Sequence, residues 1–227
     1  MPLSDRDYMK PSPPPKREYR GFRSDGGFSL NPVIAIIIAN LIFLVAVLVS
    51  GEGTYRFGEY GQVTSDRFTY YLGLIPYYFT SRPWTIVTNM FIHAGIWHLL
   101  GNMITLYFFG LFLCRLVGNG KFLLVYFVGG VVGNALYLLL APPLSIAIGA
   151  SGAIYAIAGA LVVMMPTMRV AIWGILPLPL WLVILLFFVL WSLPNVVPGI
   201  AWQAHIGGLV AGLIAGYFFR RRTRYVY

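Results

Sequence analysis

From Arg67 to its last residue, Tyr227, this chain contains no aspartate or glutamate. Over the same stretch long apolar runs follow one another with only short breaks. The sequence of 227 residues is 59% hydrophobic and 10% charged, where a soluble domain carries about 25% charged residues. Runs of that length and composition belong in a bilayer, where a helix satisfies every backbone N–H and C=O internally. The chain therefore reads as an all-α membrane protein, a single membrane domain with nearly all of it embedded.

Residues 1–30, with Pro11, Pro13, Pro14, Pro15 and six Lys/Arg, read as a disordered basic tail. Asn31-Pro32 has the form of an N-cap followed by a first-turn proline, and Val33 to Val49 is a first span, apolar apart from Asn40. That run is too long for the core of a cleavable signal peptide, which needs about 7–15 residues. Residues 51–92 differ. They mix Glu52, Arg56, Glu59, Asp66, Arg67 and Arg82 with many Tyr and Phe, too polar to span and too aromatic for a free linker. We read them as a long first loop without regular structure, lying in the membrane interface. Five more apolar segments follow, near Ile96–Val117, Phe122–Ala141, Ile148–Met165, Ala171–Leu193 and Ala201–Phe219. Pro177 and Pro179 predict a kink or a late start in the fifth span. This predicts a six-helix domain over 31–220 and a second basic tail over 221–227.

Six spans put both termini on one side. Arg115 and Lys121 lie between spans two and three, and Arg169 between spans four and five, on the side of the two basic tails. The connections 142–147 and 194–200 carry no charge. By the positive-inside rule both termini are cytoplasmic, in the cell membrane, with the first loop outside. The net charge of +9 is therefore an orientation signal, and no nucleic-acid partner is expected. A single cysteine, Cys114, excludes an internal disulfide.

The acid-free region holds all three histidines, His93, His98 and His205, and Ser151 within Gly149-Ala150-Ser151-Gly152. Polar groups with chemical potential inside membrane helices mark a functional site, because each costs free energy in lipid. Ser151 enters the fourth span where free N–H groups and the positive dipole end favour an oxyanion. Taken alone, the same four residues are more simply a small-residue packing motif. His205 opens the sixth span ahead of Gly208 and Gly212, a stripe that admits a neighbouring helix closely. If that neighbour is the fourth span, His205 meets Ser151; alone it is equally an interfacial histidine bonded to a carbonyl. His98 and Asn102, four apart, share a face and offer uncharged donors suited to an oxyanion hole, or they glue two helices together. Tyr155, four residues after Ser151, can pack on the His205 ring. Together these supply nucleophile, base and oxyanion donors for acyl transfer.

With His98-Leu99-Leu100-Gly101-Asn102, Gly149-Ala150-Ser151-Gly152 with Tyr155, and Ala204-His205-Ile206-Gly207-Gly208 with Gly212, the sequence resembles the rhomboid intramembrane serine proteases from about Tyr70 to Phe219. The resemblance implies a six-helix rhomboid bundle with an outward water-filled cavity and a Ser151–His205 dyad. It also implies oxyanion donors at His98, Asn102 and the Ser151 amide, and a Tyr155 ring stacked on His205. Two positions depart from the family's pattern. Trp84-Thr85 stands where a Trp-Arg pair is common, and Cys114 follows Gly110 where a glutamate is common.

The expected function is that of a serine endopeptidase cleaving single-span transmembrane proteins near the outer interface. A non-catalytic rhomboid-like protein that binds membrane segments for quality control is the main rival. A small transporter is a second rival, disfavoured because we find no internal repeat and the spans lack carboxylates for a proton relay. No metal or other cofactor is expected, since three histidines without a nearby carboxylate make a poor metal site. Substrate identity and oligomeric state stay open.

Overall fold

A computed structural model describes residues 30–56, 61–172, 174–190, 192–193, 196 and 199–220. Apart from Leu30, the two predicted tails lie outside these residues, as does Glu59. The first helix, α1 (Pro32–Val49), starts on its sequence signal. Asn31 Oδ1 accepts the Val33 N–H at 2.9 Å, and Pro32 takes the first turn, where a missing N–H costs nothing. The polar Asn40 is buried and donates to the Ile36 carbonyl at 2.8 Å.

The region after α1 is not the irregular loop that its composition predicts. It forms a hairpin of β1 (Glu52–Arg56) and β2 (Gln62–Asp66), then α2 (Arg67–Leu72), α3 (Thr85–Thr88) and 3-10 turns at Pro76–Tyr78 and Asn89–Phe91. The aromatic load is what orders it. The Arg82 guanidinium lies 4.4 Å from the ring centres of Tyr70 and Tyr78 and 4.9 Å from that of Tyr71. It also donates to the Tyr70 carbonyl at 2.8 Å. The Tyr70 and Tyr78 hydroxyls both donate to the Arg56 carbonyl, at 2.8 and 2.9 Å. A planar cation stacked on several rings is worth about 0.5–2 kcal/mol per contact, enough to hold a segment with few buried aliphatics.

Helix α4 (Ile96–Thr105) runs through a π-helical stretch (Leu106–Gly110) into α5 (Leu111–Val117), one continuous helix of 22 residues. Then come α6 (Asn119–Leu140) and α7 (Ser151–Met164). The fifth apolar segment starts late. A hairpin of β3 (Arg169–Ile172) and β4 (Leu176–Pro179) precedes α8 (Leu180–Val183), which continues as a π-helix over Ile184–Leu190. Proline has no N–H for a helical bond, so Pro177 and Pro179 are accommodated in the strand, and Pro179 becomes the extended cap of α8. The last helix is α9 (Trp202–Arg220).

Among the described residues three helices are long and apolar enough to cross a membrane: Pro32–Val49, Ile96–Val117 and Asn119–Leu140. Helix α7 is shorter and sits at the centre, with Gly152 through Leu161 all buried. Helix α9 packs against it more extensively than any other pair of elements, and α6 packs on both. The contact is made by missing side chains. A Cβ on Gly208 would strike the Gly152 carbonyl, one on Gly212 the Ala156 carbonyl, and one on Gly216 would lie 2.7 Å from the Ala160 carbonyl oxygen. In lipid, where apolar surface gains little from pairing, such close backbone packing is what holds helices together.

Candidate functional site

Ser151 is the first residue of α7, half-buried at the helix N-terminus, where first-turn N–H groups have no intrahelical acceptor. The chain reaches it through Gly149, whose φ of +112 suits glycine, and a Cβ there would lie 2.9 Å from Cε1 and Nε2 of His98. The approach is fixed from the first loop. The Gly149 N–H donates to the Asn89 carbonyl at 2.9 Å, and Leu74 pairs with Ala147 as an antiparallel bridge. Asn89 and Asn134 exchange side-chain hydrogen bonds at 3.1 and 2.8 Å, tying the loop to α6.

The glycine contacts between α7 and α9 bring His205 to Ser151. His205 Nε2 lies 2.7 Å from Ser151 Oγ. The Tyr155 ring stacks on the imidazole at 4.2 Å between centroids and 14° between planes. On the far side of the ring, Nδ1 lies 2.8 Å from Ser192 Oγ, and that hydroxyl is hydrogen-bonded to the Tyr155 hydroxyl. His205, Tyr155 and Ser192 are all buried. Of the carboxylates in the described residues, Asp66 caps α2 by accepting the Thr69 N–H at 2.8 Å, and Glu52 pairs beside it at the exposed start of β1.

His98 lies over the Gly149 turn. Its Nδ1 accepts the Ala94 N–H at 3.3 Å, so in the neutral ring the hydrogen belongs on Nε2, the atom facing Gly149. Asn102 is buried on the same face and spends one N–H on the His98 carbonyl at 2.8 Å. The second N–H of that amide has no acceptor among the described residues. Beside them stands His93, with its ring centroid 5.0 Å from that of His98 and its Nε2 accepting the Ala150 N–H at 3.5 Å. Burial, reinforced by the neighbouring His98, lowers the His93 pKa to about 4, with a backbone contact to Phe91 opposing part of the shift. His93 is thus neutral at ordinary pH, as an acceptor must be.

Residues 80–222 match the sequence profile of the Rhomboid domain. This chain belongs to the rhomboid family. YdcA of Bacillus subtilis (strain 168), which carries a rhomboid-protease name, is 33% identical over 134 residues, 59% of this chain and 66% of its own. RHOMBOID-like protein 1 of Arabidopsis thaliana is 32% identical over 146 residues, 63% of this chain and 36% of its own. Rhomboid protease GluP of Bacillus subtilis is 31% identical over 132 residues, 58% of this chain and 25% of its own. This rhomboid thus spans between 25% and 66% of the length of these relatives. The domain and the apolar helices make it an integral membrane protein.

Within this rhomboid, the two departures from the family's pattern have local explanations. Thr85 is buried and donates to the Arg82 carbonyl at 2.7 Å, while the Trp84 indole N–H donates to the Tyr71 carbonyl at 3.2 Å. Cys114 is buried near the end of α5, and its thiol donates to Asn119 Oδ1 at 3.1 Å. Sequence reasoning named His93 among the three histidines but gave it no role, and it missed Ser192. His93 lies between the first loop and the second apolar segment, outside both, and Ser192 is a lone hydroxyl in an apolar run whose only signal is that it is polar at all.

Proposed function

We propose that this rhomboid is an intramembrane serine endopeptidase that cleaves single-span transmembrane substrates near the outer interface, with Ser151 as nucleophile and His205 as base. The observation that carries the reading is the 2.7 Å contact between Ser151 Oγ and His205 Nε2 at a helix N-terminus. In the forward step Ser151 Oγ attacks the scissile carbonyl and its proton passes to Nε2. The oxyanion develops against the Ser151 amide, His98 Nε2–H and the second N–H of Asn102. His205 then protonates the leaving amine, and water hydrolyses the acyl-enzyme. Donors of this kind are uncharged, and where they are preset their alignment costs nothing at the moment of reaction.

Helix length supports the membrane setting. The 14 residues of α7 rise about 21 Å against a hydrocarbon core of about 30 Å, so Ser151 lies below the surface. A substrate helix must unwind there and meet water, which requires a wet recess open outward. On this reading the apolar segments form six spans with both termini cytoplasmic in the cell membrane. The test is fluorophosphonate labelling of the purified protein with adduct mapping, alongside cleavage of a panel of transmembrane substrates by wild type, Ser151→Ala and His205→Ala. Labelling at Ser151 and loss of cleavage in both variants are expected. A folded wild type that neither labels nor cuts would leave a non-catalytic family member.

A further inference from the structure

We infer that Ser192 is the positioning residue for the His205 base, a neutral hydroxyl standing where soluble triads place a carboxylate; the inference rests on the protease reading above. In those triads the third member bonds Nδ1–H, which fixes the tautomer that leaves Nε2 free to accept a proton and stabilises the imidazolium that follows. Here the residue bonded to Nδ1 is Ser192, at 2.8 Å. Stacking by Tyr155 fixes the plane of the ring but does not choose between its two nitrogens. Only a hydrogen bond in that plane does.

A hydroxyl can donate as well as accept, so something must keep the Ser192 proton off Nδ1. The Tyr155 hydroxyl lies against Ser192 Oγ. When Ser192 donates to Tyr155 Oη, its lone pair is left for Nδ1–H, and Nε2 is bare toward Ser151. The chain of groups then runs Ser151, His205, Ser192, Tyr155, crossing from α7 to α9, to the segment after α8 and back to α7. Tyr155 thus acts twice, through its ring on the imidazole and through its hydroxyl on Ser192. Both serines touch His205, but their surroundings differ. Ser151 is half-buried at the helix N-terminus beside His98, while Ser192 is only 4% exposed and closed in by Tyr155. Ser151 is the hydroxyl a substrate can reach. In the proton-transfer step the Ser151 O–H bond breaks, an N–H bond forms at Nε2, and the positive charge of the ring is met at Nδ1 by the Ser192 oxygen. No proton leaves Nδ1.

The test is steady-state cleavage of a substrate that wild type is first shown to cut, with thermal midpoints for every variant. Ser192→Ala is expected to lose about 10–10² in kcat, the loss typical for a hydrogen bond to a group that becomes charged, with KM and midpoint near wild type. Ser192→Thr, which restores the hydroxyl, is expected to regain most of it. If Ser192→Ala does not fold, Tyr155→Phe carries the same test. It keeps the stacked ring and removes the hydroxyl that holds Ser192, so kcat should fall with KM unchanged. Wild-type kcat in a folded Ser192→Ala or Tyr155→Phe protein would overturn the inference, as would a loss shared equally by Ser192→Thr. A fluorophosphonate adduct on Ser192 instead of Ser151 would overturn it too. A wild type without activity would instead refute the protease reading itself.

Discussion

Consider Gly208→Ala. Local propensity favours the change, because alanine is better than glycine inside a helix by about 1 kcal/mol. The tertiary contact opposes it. The added Cβ would sit closer than 3.0 Å to the Gly152 carbonyl oxygen, where Cβ atoms are essentially never found, and the obstacle is backbone, not the end of a flexible side chain. Reaching the 3.4 Å of ordinary contact moves α9 away from α7 by at least roughly an ångström. Overpacking of this kind costs about 1–3 kcal/mol; against a backbone carbonyl we take the upper end, for a net destabilisation of about 2 kcal/mol. The same retreat lengthens the 2.7 Å Ser151–His205 contact past hydrogen-bond range, and an ångström of misplacement can cost about 10² in rate. The assay is kcat on a transmembrane substrate with the thermal midpoint of the same preparation. Gly120→Ala in α6, where an added Cβ meets nothing within 4 Å, is the control and should keep kcat, with a midpoint at or above wild type. Wild-type kcat and an unshifted midpoint in Gly208→Ala would refute the idea that the α7–α9 glycine contact sets the site's geometry.

Asn102→Ala is expected to lower kcat by about 10²–10³ with a smaller change in KM, measured by steady-state kinetics on folded protein; a rise in KM alone would make Asn102 a substrate-binding residue. Cys114→Ser should keep activity, because Cys114 stands at the opposite end of the Ile96–Val117 helix from His98, roughly 24 Å along the axis; inactivation specific to thiol alkylation of folded protein would contradict this. His93 should make the protein less stable in acid. Its folded pKa of about 4 lies below the usual 6.5, so between those pH values the unfolded chain binds a proton that the folded one refuses. Stability is then full above pH 6.5 and falls by about 3 kcal/mol as pH drops through 4. As pH falls across that range the thermal midpoint of wild type should drop relative to that of His93→Asn, and parallel curves would refute the assignment.

The parts of this rhomboid that were readable in its sequence are those whose signal is local. Apolar runs set the helices, and Asn31-Pro32 set the start of α1. Ser151, His98, Asn102 and His205 stood out because polar groups are rare in the acid-free half, and the structure gathers them at one end of α7. What could not be read depends on contacts between distant segments. The order in the described part of residues 51–92 comes from Arg82 meeting Tyr70, Tyr71 and Tyr78, a three-dimensional cluster with no linear pattern. The hairpin before α8 was hidden because Ala171–Leu193 reads as one uncharged, largely apolar run in which only Gly174 and the two prolines mark a break. Ser192 meets His205 only because the segment after α8 returns over the start of α9, which no spacing rule encodes.

A carboxylate third member would be hard to place in this fold. A buried anion needs a cation or several hydrogen bonds beside it, and losing such a partner costs about 3–5 kcal/mol. In the described part of the acid-free region the cations stand at helix ends, in connections and in the first loop: Arg67 opening α2, Arg82 among Tyr70, Tyr71 and Tyr78, Arg115 in the last turn of α5, Lys121 in the first turn of α6, Arg169 opening β3 and Arg220 closing α9. None reaches the buried face of His205. An acid at position 192 would therefore be an unpaired charge against Tyr155, and the cheaper state would be its protonated form, which donates to Nδ1 and so holds the wrong tautomer. A hydroxyl held by Tyr155 accepts from Nδ1 without charge at rest and meets positive charge only while Ser151 is being deprotonated. On the proposed reading, the absence of acids after Asp66 and a base supported by Ser192 are one adaptation, in which charge arises at the site only during turnover.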